Sequence, residues 1–593
     1  MSRHIRKKPG ENDKAKDARG TLRRLWSYLS KMKVILYLVI LMVFLSSAAA
    51  LLGPFLVGKA IDDYIVTKET SGLVGLITGL IAVYILHSMS VWFQNYWMIG
   101  VAQDTVYRLR KDLFHQLHQL SIPFFDKRKH GELMSRVTND IDNVSATLNS
   151  SFIQIISSVL TLVGTVSIML WLSPLLTLIT LTIVPLMVFG MKWITKRTGR
   201  LFKQYQHNIG ELNGYIEETI SGHSIIKTFS REETAIKEFG EKNQRLKTAA
   251  YWADTYSGFI PKLMNVLNNL SFAVIAGVGG VFALNGMITI GVIVIFAEYA
   301  RQFTRPLNEL ANQYNTLLSA IAGAERVFQI LDEEEEAKDE GDAVEIESVE
   351  GKVEFQHVSF SYEKGEPTLK DVSFSIRPGE TVALVGPTGA GKTTITNLLS
   401  RFYELNEGRI EIDGLNIQTI KRKSLRQLMG FVLQDSFLFQ GTIADNIRYG
   451  RLDASDDEVK DAAKLANAHT FIEKMPEGYD TMLRADGSGI SQGQKQLLSI
   501  ARAILSNPSI LILDEATSSI DTITELKIQD ALKRLMKGRT SVVVAHRLNT
   551  IRQADQILVL DGGKIIEQGT HDELLKVKGF YHGLYHSQLK ESG

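Results

Sequence analysis

The sequence predicts a two-part fold, an all-α membrane domain of six spanning helices followed by a cytoplasmic α/β domain. Three observations carry this. Six apolar stretches of spanning length precede residue 320. Beyond about residue 350 the chain alternates short apolar strands with helical segments, the pattern of an α/β domain. One of those strands runs directly into a glycine-rich loop, "VALVGPTGAGKTT", residues 382–394.

Composition agrees with such a division. The 593 residues are 45% hydrophobic, yet mean hydropathy is only +0.01, an average over two unlike halves. Formal net charge is +1, so bulk charge gives no reason to expect a nucleic-acid partner. Cysteine is absent, which excludes disulfides, thiolate metal sites and cysteine nucleophiles.

Residues 1–33 read as a cytoplasmic tail and elbow. Arg3, Arg6, Lys7, Lys8, Lys14 and Lys16 alternate with Glu11, Asp13 and Asp17, and no apolar run of a secretory signal follows before Val34. The transmembrane domain is expected over 34–331, with spans near 34–57, 73–100, 152–172, 174–195, 259–284 and 287–318. Leu172-Ser173-Pro174 and Asn285-Gly286 make tight turns between the third and fourth, and fifth and sixth. The two long polar connections hold Arg108, Arg110, Lys111, Lys127, Arg128, Lys129 and Arg136, then Lys196, Arg197, Arg200, Lys203, Lys227, Arg231 and Lys237. With the basic N-terminus, they place both chain termini on the cytoplasmic side. Their apolar periodicity continues that of the spans, so the helices are expected to run well beyond the bilayer.

The acidic run "DEEEEAKDEGDAVEIES", residues 332–348, reads as a solvated linker over 332–350, with the soluble domain at 351–593. There Gly386, four residues, then Gly391-Lys392-Thr393 make a phosphate loop in its proper setting, strand before and helix after. The loop of Gly386, Pro387, Thr388, Gly389, Ala390 and Gly391, with Thr394 after it, is placed to bind phosphates at a helix N-terminus, its glycines letting the backbone N–H groups (Pro387 has none) close around them. Lys392 would meet the β- and γ-phosphates and Thr393 a Mg²⁺ ion, so ATP and Mg²⁺ are the expected ligands. A second buried strand, "ILILDEAT", ends in Asp514-Glu515, an acid for Mg²⁺ beside a carboxylate able to activate water. A third, "SVVVAH", ends in His546.

In this combination and order, the motifs resemble those of the ATP-binding-cassette (ABC) superfamily, in its exporter half-transporter form, over about residues 20–590. The resemblance implies that Tyr362 in "VSFSYEKG" stacks on adenine and that Gln434 in "GFVLQDSFLFQGTIADNI" touches Mg²⁺ and the attacking water. It implies the Mg²⁺-linked aspartate for Asp514, the general base for Glu515, the switch histidine for His546, and for Asp521 in "SSIDT" the loop that crosses to the opposing subunit. It further implies that 124–142, with Phe124 and Phe125 before a break at Gly131, and 215–233, interrupted at Ser221-Gly222, are coupling segments.

Where this family has Leu-Ser-Gly-Gly-Gln, the chain carries Ile490-Ser491-Gln492-Gly493-Gln494. Ser491, Gly493 and Gln494 remain to face ATP on the partner, whereas Gln492 adds a side chain where close backbone approach is preferred. Upstream, Ala485 stands where a glutamate is usual. Both departures fall on the partner-facing surface and none on the chain's own hydrolytic set. That asymmetry points to a heterodimer whose second half-transporter has a consensus signature and a weakened catalytic carboxylate. The expected function is ATP-driven export of amphipathic small molecules, drugs or lipids, across a bacterial cell membrane. A homodimeric lipid flippase or multidrug exporter is the alternative, and a nucleotide-gated channel or sensor a more distant one.

Within the spans, Glu298 and Arg301 lie three residues apart on one helix face, as an internal pair or as cargo contacts. Asn265, Asn268, Asn269, Gln94 and Asn95 could line a polar path or tie helices together. Trp92, Trp97, Phe272 and Phe303 could offer an apolar surface to cargo, to lipid or to the core.

Overall fold

The computed structural model describes residues 17–69, 71–363, 365, 367–434, 436–484, 489–514, 520–545 and 548–591. The chain forms two compact units. One comprises Met1–His118 and His130–Glu333; the other comprises Gln119–Lys129 and Glu334–Gly593.

Among the described residues, the first unit is built from helices. Asp17 caps α1 (Ala18–Leu29) by accepting from the Gly20 N–H. Helix α2 (Lys33–Ala60) ends in a π-helical turn, Ile61–Val66, and α3 (Leu73–Gln119) follows. After α4 (Ile122–Asp126), which belongs to the second unit, come α5 (His130–Ser135), a second π-helical turn at Arg136–Asp140 and α6 (Ile141–Leu172). Ser173 then caps α7 (Pro174–Leu181), its Oγ accepting from Leu176 N–H and proline at N1, so the expected tight turn forms. The remainder is α8 (Ile183–Ser221), α9 (His223–Thr228), α10 (Glu232–Leu284) and α11 (Ile290–Leu331).

Among the described residues, five helical stretches are long and apolar enough to cross a membrane: Ala18–Val66, Leu73–Gln119, His130–Leu172, Pro174–Ser221 and Glu232–Leu284. The 47 residues of α3 extend about 70 Å, more than twice the thickness of a hydrocarbon core. The break expected at Gly131 lies slightly earlier, at 127–129, and Gly131 sits in the first turn of α5. Ser221-Gly222 does interrupt the helix, with Gly222 between α8 and α9.

Interhelical hydrogen bonds supplement apolar packing. Ser46 Oγ donates to Gln94 Oε1 at 3.1 Å, so buried Gln94 ties α2 to α3. Buried Tyr299 donates to the Leu51 carbonyl at 2.7 Å, joining α11 to α2. Asp140, buried in the second π-helical turn, takes both arms of the Arg326 guanidinium, at 2.9 and 2.5 Å.

The second unit carries β1 (Val353–Phe360), β2 (Leu369–Ile376), β3 (Thr381–Val385), β4 (Glu407–Ile412), β5 (Leu415–Asn416), β6 (Met429–Val432), β7 (Gly441–Thr442), β8 (Met482–Leu483), β9 (Ile510–Asp514), β10 (Thr540–Val544), β11 (Gln556–Asp561) and β12 (Lys564–Gly569). One antiparallel sheet runs β2-β1-β4-β5; the central sheet runs β12-β11-β3-β10-β9-β6, parallel except at the β12 edge. Its inner strands are buried on both faces, which their continuous Val, Ile and Leu runs require.

The acidic connector differs from a solvated tether. Glu336 pairs with Arg426 at 2.6 Å, Asp339 with Arg422 at 2.8 Å and Glu345 with Lys421 at 2.8 Å. A bridge between Val344 and Ile420 adds backbone contact. Three acids of the run thus lie against basic residues of the α/β unit.

Candidate nucleotide site

Parallel pairing brings four expected site segments to one sheet edge. Val544 lies opposite both Leu384 and Asp514, and Val432 opposite Leu513. The chain therefore leaves β3 into the phosphate loop, β9 at Asp514, β10 toward residue 546 and β6 toward Gln434, all at the carboxyl ends of neighbouring strands. Such an edge is where open α/β sheets bind ligands.

The phosphate loop wraps onto α12 (Lys392–Leu399), whose N-cap Gly391 has φ +105°, a left-handed conformation costly for any other residue. A Cβ there would also lie 2.5 Å from Leu369 Cδ2. Lys392 is buried, with Nζ donating to the carbonyls of Gly386 at 2.7 Å and Pro387 at 3.0 Å. Burial lowers its pKa, and the nearby Asp514 charge opposes that shift. Thr393, Gln434 and Asp514 are hard oxygen donors of the kind Mg²⁺ accepts, one from each of three adjoining segments, so the set fits that ion.

Tyr362 lies at the loop's flank, its hydroxyl donating to Thr394 Oγ1 at 3.1 Å. Tyr403 packs edge-on against it, ring centroids 4.9 Å apart and planes at 90°. The Tyr403 hydroxyl in turn donates to Asp126 Oδ2 of α4 at 2.6 Å, and burial with that bond raises its pKa. Helix α4 thus connects through Tyr403 to Tyr362 within one compact unit. Neither Tyr403 nor Asp126 is assigned a role by sequence reasoning. The available signal was weak, an aromatic in "RFYEL" and an acid after Phe124-Phe125. Tyr403→Phe and Asp126→Asn are each expected to cost about 1.5–3 kcal/mol, and the double variant little more. Thermal unfolding of the four proteins measures that coupling.

Residues 490–494 lead into a further helix. Ser491 caps the helix Gln492–Ser506 in a capping box: its Oγ accepts from Gln494 N–H at 3.2 Å, and Gln494 Oε1 accepts from Ser491 N–H at 2.8 Å. Gln492 is exposed, whereas Gly493 is buried against the start of the helix Thr522–Met536. A Cβ on Gly493 would lie 2.4 Å from Thr524 Cγ2 and 3.1 Å from Ile520 Cγ2. Asp521 caps that second helix, accepting from Thr524 N–H at 2.9 Å, a bond that holds its carboxyl below the usual range. Gly493→Val is accordingly expected to destabilise the α/β unit by about 1–3 kcal/mol through overpacking, read as a lowered denaturation midpoint. Arg502, on the signature helix, donates to the carbonyls of Asn446 at 2.9 Å and Phe437 at 3.2 Å, anchoring the segment that follows Gln434.

Glu515, His546 and Ala485 lie outside the described residues. Pro387, Thr388, Gly389 and Ala390 lie where the loop motif puts them, between β3 and α12.

Comparison with known proteins agrees with both halves. The family described as "ABC transporter transmembrane region" matches residues 36–307, and the family described as "ABC transporter" matches 369–518. The chain is 64% identical over 589 residues to the ABC transporter ATP-binding protein YfiC of Bacillus subtilis (strain 168), covering 99% of this chain and 98% of that protein. It is 46% identical over 502 residues to a fatty acid ABC transporter ATP-binding/permease protein of Mycobacterium bovis (strain ATCC BAA-935 / AF2122/97), covering 85% and 79%. A solved bacterial Atm1-family ABC exporter with ATP bound superposes with a TM-score of 0.72 at 32% identity, covering 94% of this chain and 98% of that one. With a phosphate loop at the sheet edge and a helical transmembrane region on the same polypeptide, the chain belongs to the ABC transporters, as an exporter-type, multi-pass, ATP-hydrolysing translocase.

Proposed function

We propose that this chain is one half of a heterodimeric exporter that drives amphipathic small molecules, lipids or drugs, out across a bacterial cell membrane. The observation that carries the heterodimer is exposed Gln492 at the N-terminus of the signature helix, beside a Gly493 that packing within the chain already demands. The altered position thus lies at the surface, open to a docking partner. The cargo class rests on the mycobacterial relative named as a fatty acid transporter and on the apolar unit itself.

In this reading α11 is a sixth span, both termini are cytoplasmic, and residues 332–350 connect a membrane domain over 34–331 to a nucleotide-binding domain over 351–593. Tyr362 stacks on adenine, the loop from Gly386 to Thr394 holds the phosphates, and Lys392 neutralises the β- and γ-oxygens. Thr393, Gln434 and Asp514 would hold Mg²⁺, which supplies charge compensation to the phosphates when bound. Glu515 takes the proton of the attacking water, Gln434 orients that water, and His546 contacts the γ-phosphate. Ser491, Gly493 and Gln494 face the partner's ATP, and Asp521 begins the segment that crosses to it. ATP favours closed nucleotide domains by bridging both; hydrolysis removes the bridge.

The test is ATPase activity and native mass of the chain purified alone in lipid nanodiscs, then co-expressed with a second exporter half. Little turnover alone, restored by the second half, supports the heterodimer. Robust turnover from a homodimer overturns it and favours a homodimeric flippase or drug exporter. ATP-dependent ion current without uphill transport would instead identify a channel.

A further inference from the structure

Helix α11 carries four ionisable residues, Glu298, Arg301, Arg305 and Glu309, at spacings of three, four and four. That spacing puts them on one face, over an axial rise of about 16 Å. Phe296 and Tyr299, by contrast, are wholly buried. Glu298, Arg301 and Arg305 fall inside the matched transmembrane region, and Glu309 follows just past its end. A stripe of this kind does not face hydrocarbon, where each charge costs about 2.5–3.5 kcal/mol at mid-depth; it faces a watered path.

The two signs are not equally accessible. Arg305 is 85% exposed and its partner Glu309 25%; Arg301 is 63% exposed and Glu298 45%. Glu309 is drawn inward further, accepting from Ser158 Oγ at 3.2 Å and from Gln154 Nε2, both on α6. Arg305 meets Glu309 through Nε at 2.9 Å, and Arg301 meets Glu298 through one terminal nitrogen at 3.5 Å. A guanidinium has five N–H donors in a planar fork, so each arginine retains an outward edge matched to a carboxylate or phosphate. Beside this positive pole stands half-exposed Phe272, its ring centroid 5.8 Å from the Arg301 guanidinium carbon.

We propose that this stripe is a cargo headgroup site for anionic acyl-chain amphiphiles, carboxylates or phosphate monoesters. Arg301 and Arg305 contact the head, Phe272 contacts the first methylenes, and Glu298 and Glu309 act as positioning residues that fix the arginine forks. The proposal rests on the exporter reading and adds the charge class of the cargo. A cationic head would meet the two exposed guanidinium groups first and be repelled.

The test is binding of radiolabelled dodecanoate, dodecyl phosphate and dodecyltrimethylammonium to the full-length chain, in its native assembly, in phosphatidylcholine nanodiscs without nucleotide. The unaltered protein is expected to bind at least one anionic probe about tenfold or more tightly than the cationic one. Arg301→Gln/Arg305→Gln is expected to erase that preference, and Arg305→Lys to keep part of it. Tighter binding of dodecyl phosphate would indicate a phospholipid-like head, and of dodecanoate a fatty acid. Equal affinity for anionic and cationic probes in the unaltered protein overturns the site, whether or not the variants fold. Uphill transport by the unaltered assembly is measured in parallel. Its absence alongside arginine-dependent anion preference would sink the exporter reading and leave the site; transport without the preference would do the reverse.

Discussion

Glu515→Gln is expected to lower ATP turnover by about 10²- to 10⁴-fold, the range for loss of a positioned general base. At 1.36 kcal/mol per decade this is about 3–5 kcal/mol of the barrier. ATP affinity should hold, because in the proposed reading the phosphates are bound by the loop between β3 and α12 and residue 515 acts on the attacking water. Turnover by rapid phosphate release, with nucleotide affinity from a fluorescent ATP analogue, separates the two effects. Full turnover in this variant would remove the base from residue 515.

Lys392→Ala should act on affinity as well as rate. Its Nζ is buried, and it donates to two loop carbonyls that it can exchange for phosphate oxygens. Loss of a charge-assisted hydrogen bond of this type costs about 1.5–3 kcal/mol, a ten- to 150-fold weakening of ATP binding. Gln492→Gly removes only an exposed side chain, and should change turnover less than Lys392→Ala does. If the ranking reverses, the signature of this chain governs the main hydrolytic site, and the homodimer reading replaces the heterodimer. Comparing the two variants in one preparation decides it.

Much of the molecule was legible without coordinates. Spanning helices, the phosphate loop and the strand-end acid are properties of contiguous residues: a run of apolar side chains, a loop motif completed within eight positions, a short buried strand ending in Asp514. Local chemistry sets these, so the order of residues suffices. Gln492 was legible too, as a departure, yet which of its neighbours needed glycine was not. Gly493 is demanded by Thr524, on another helix, and by Ile520, just ahead of that helix.

What the sequence by itself determined was therefore the class of machine and the chemistry of its nucleotide loop. Tertiary structure alone decided the long-range pairings: Tyr403 between Tyr362 and Asp126, the acidic connector against Arg422 and Arg426, Glu309 drawn toward Ser158 so that Arg305 is left the more exposed. Periodicity tells which face of a helix is polar, but not which charge of a pair lies inward or what approaches from residues hundreds of positions away. Those outcomes follow from how elements pack, because burial and distance set the strength of every polar contact.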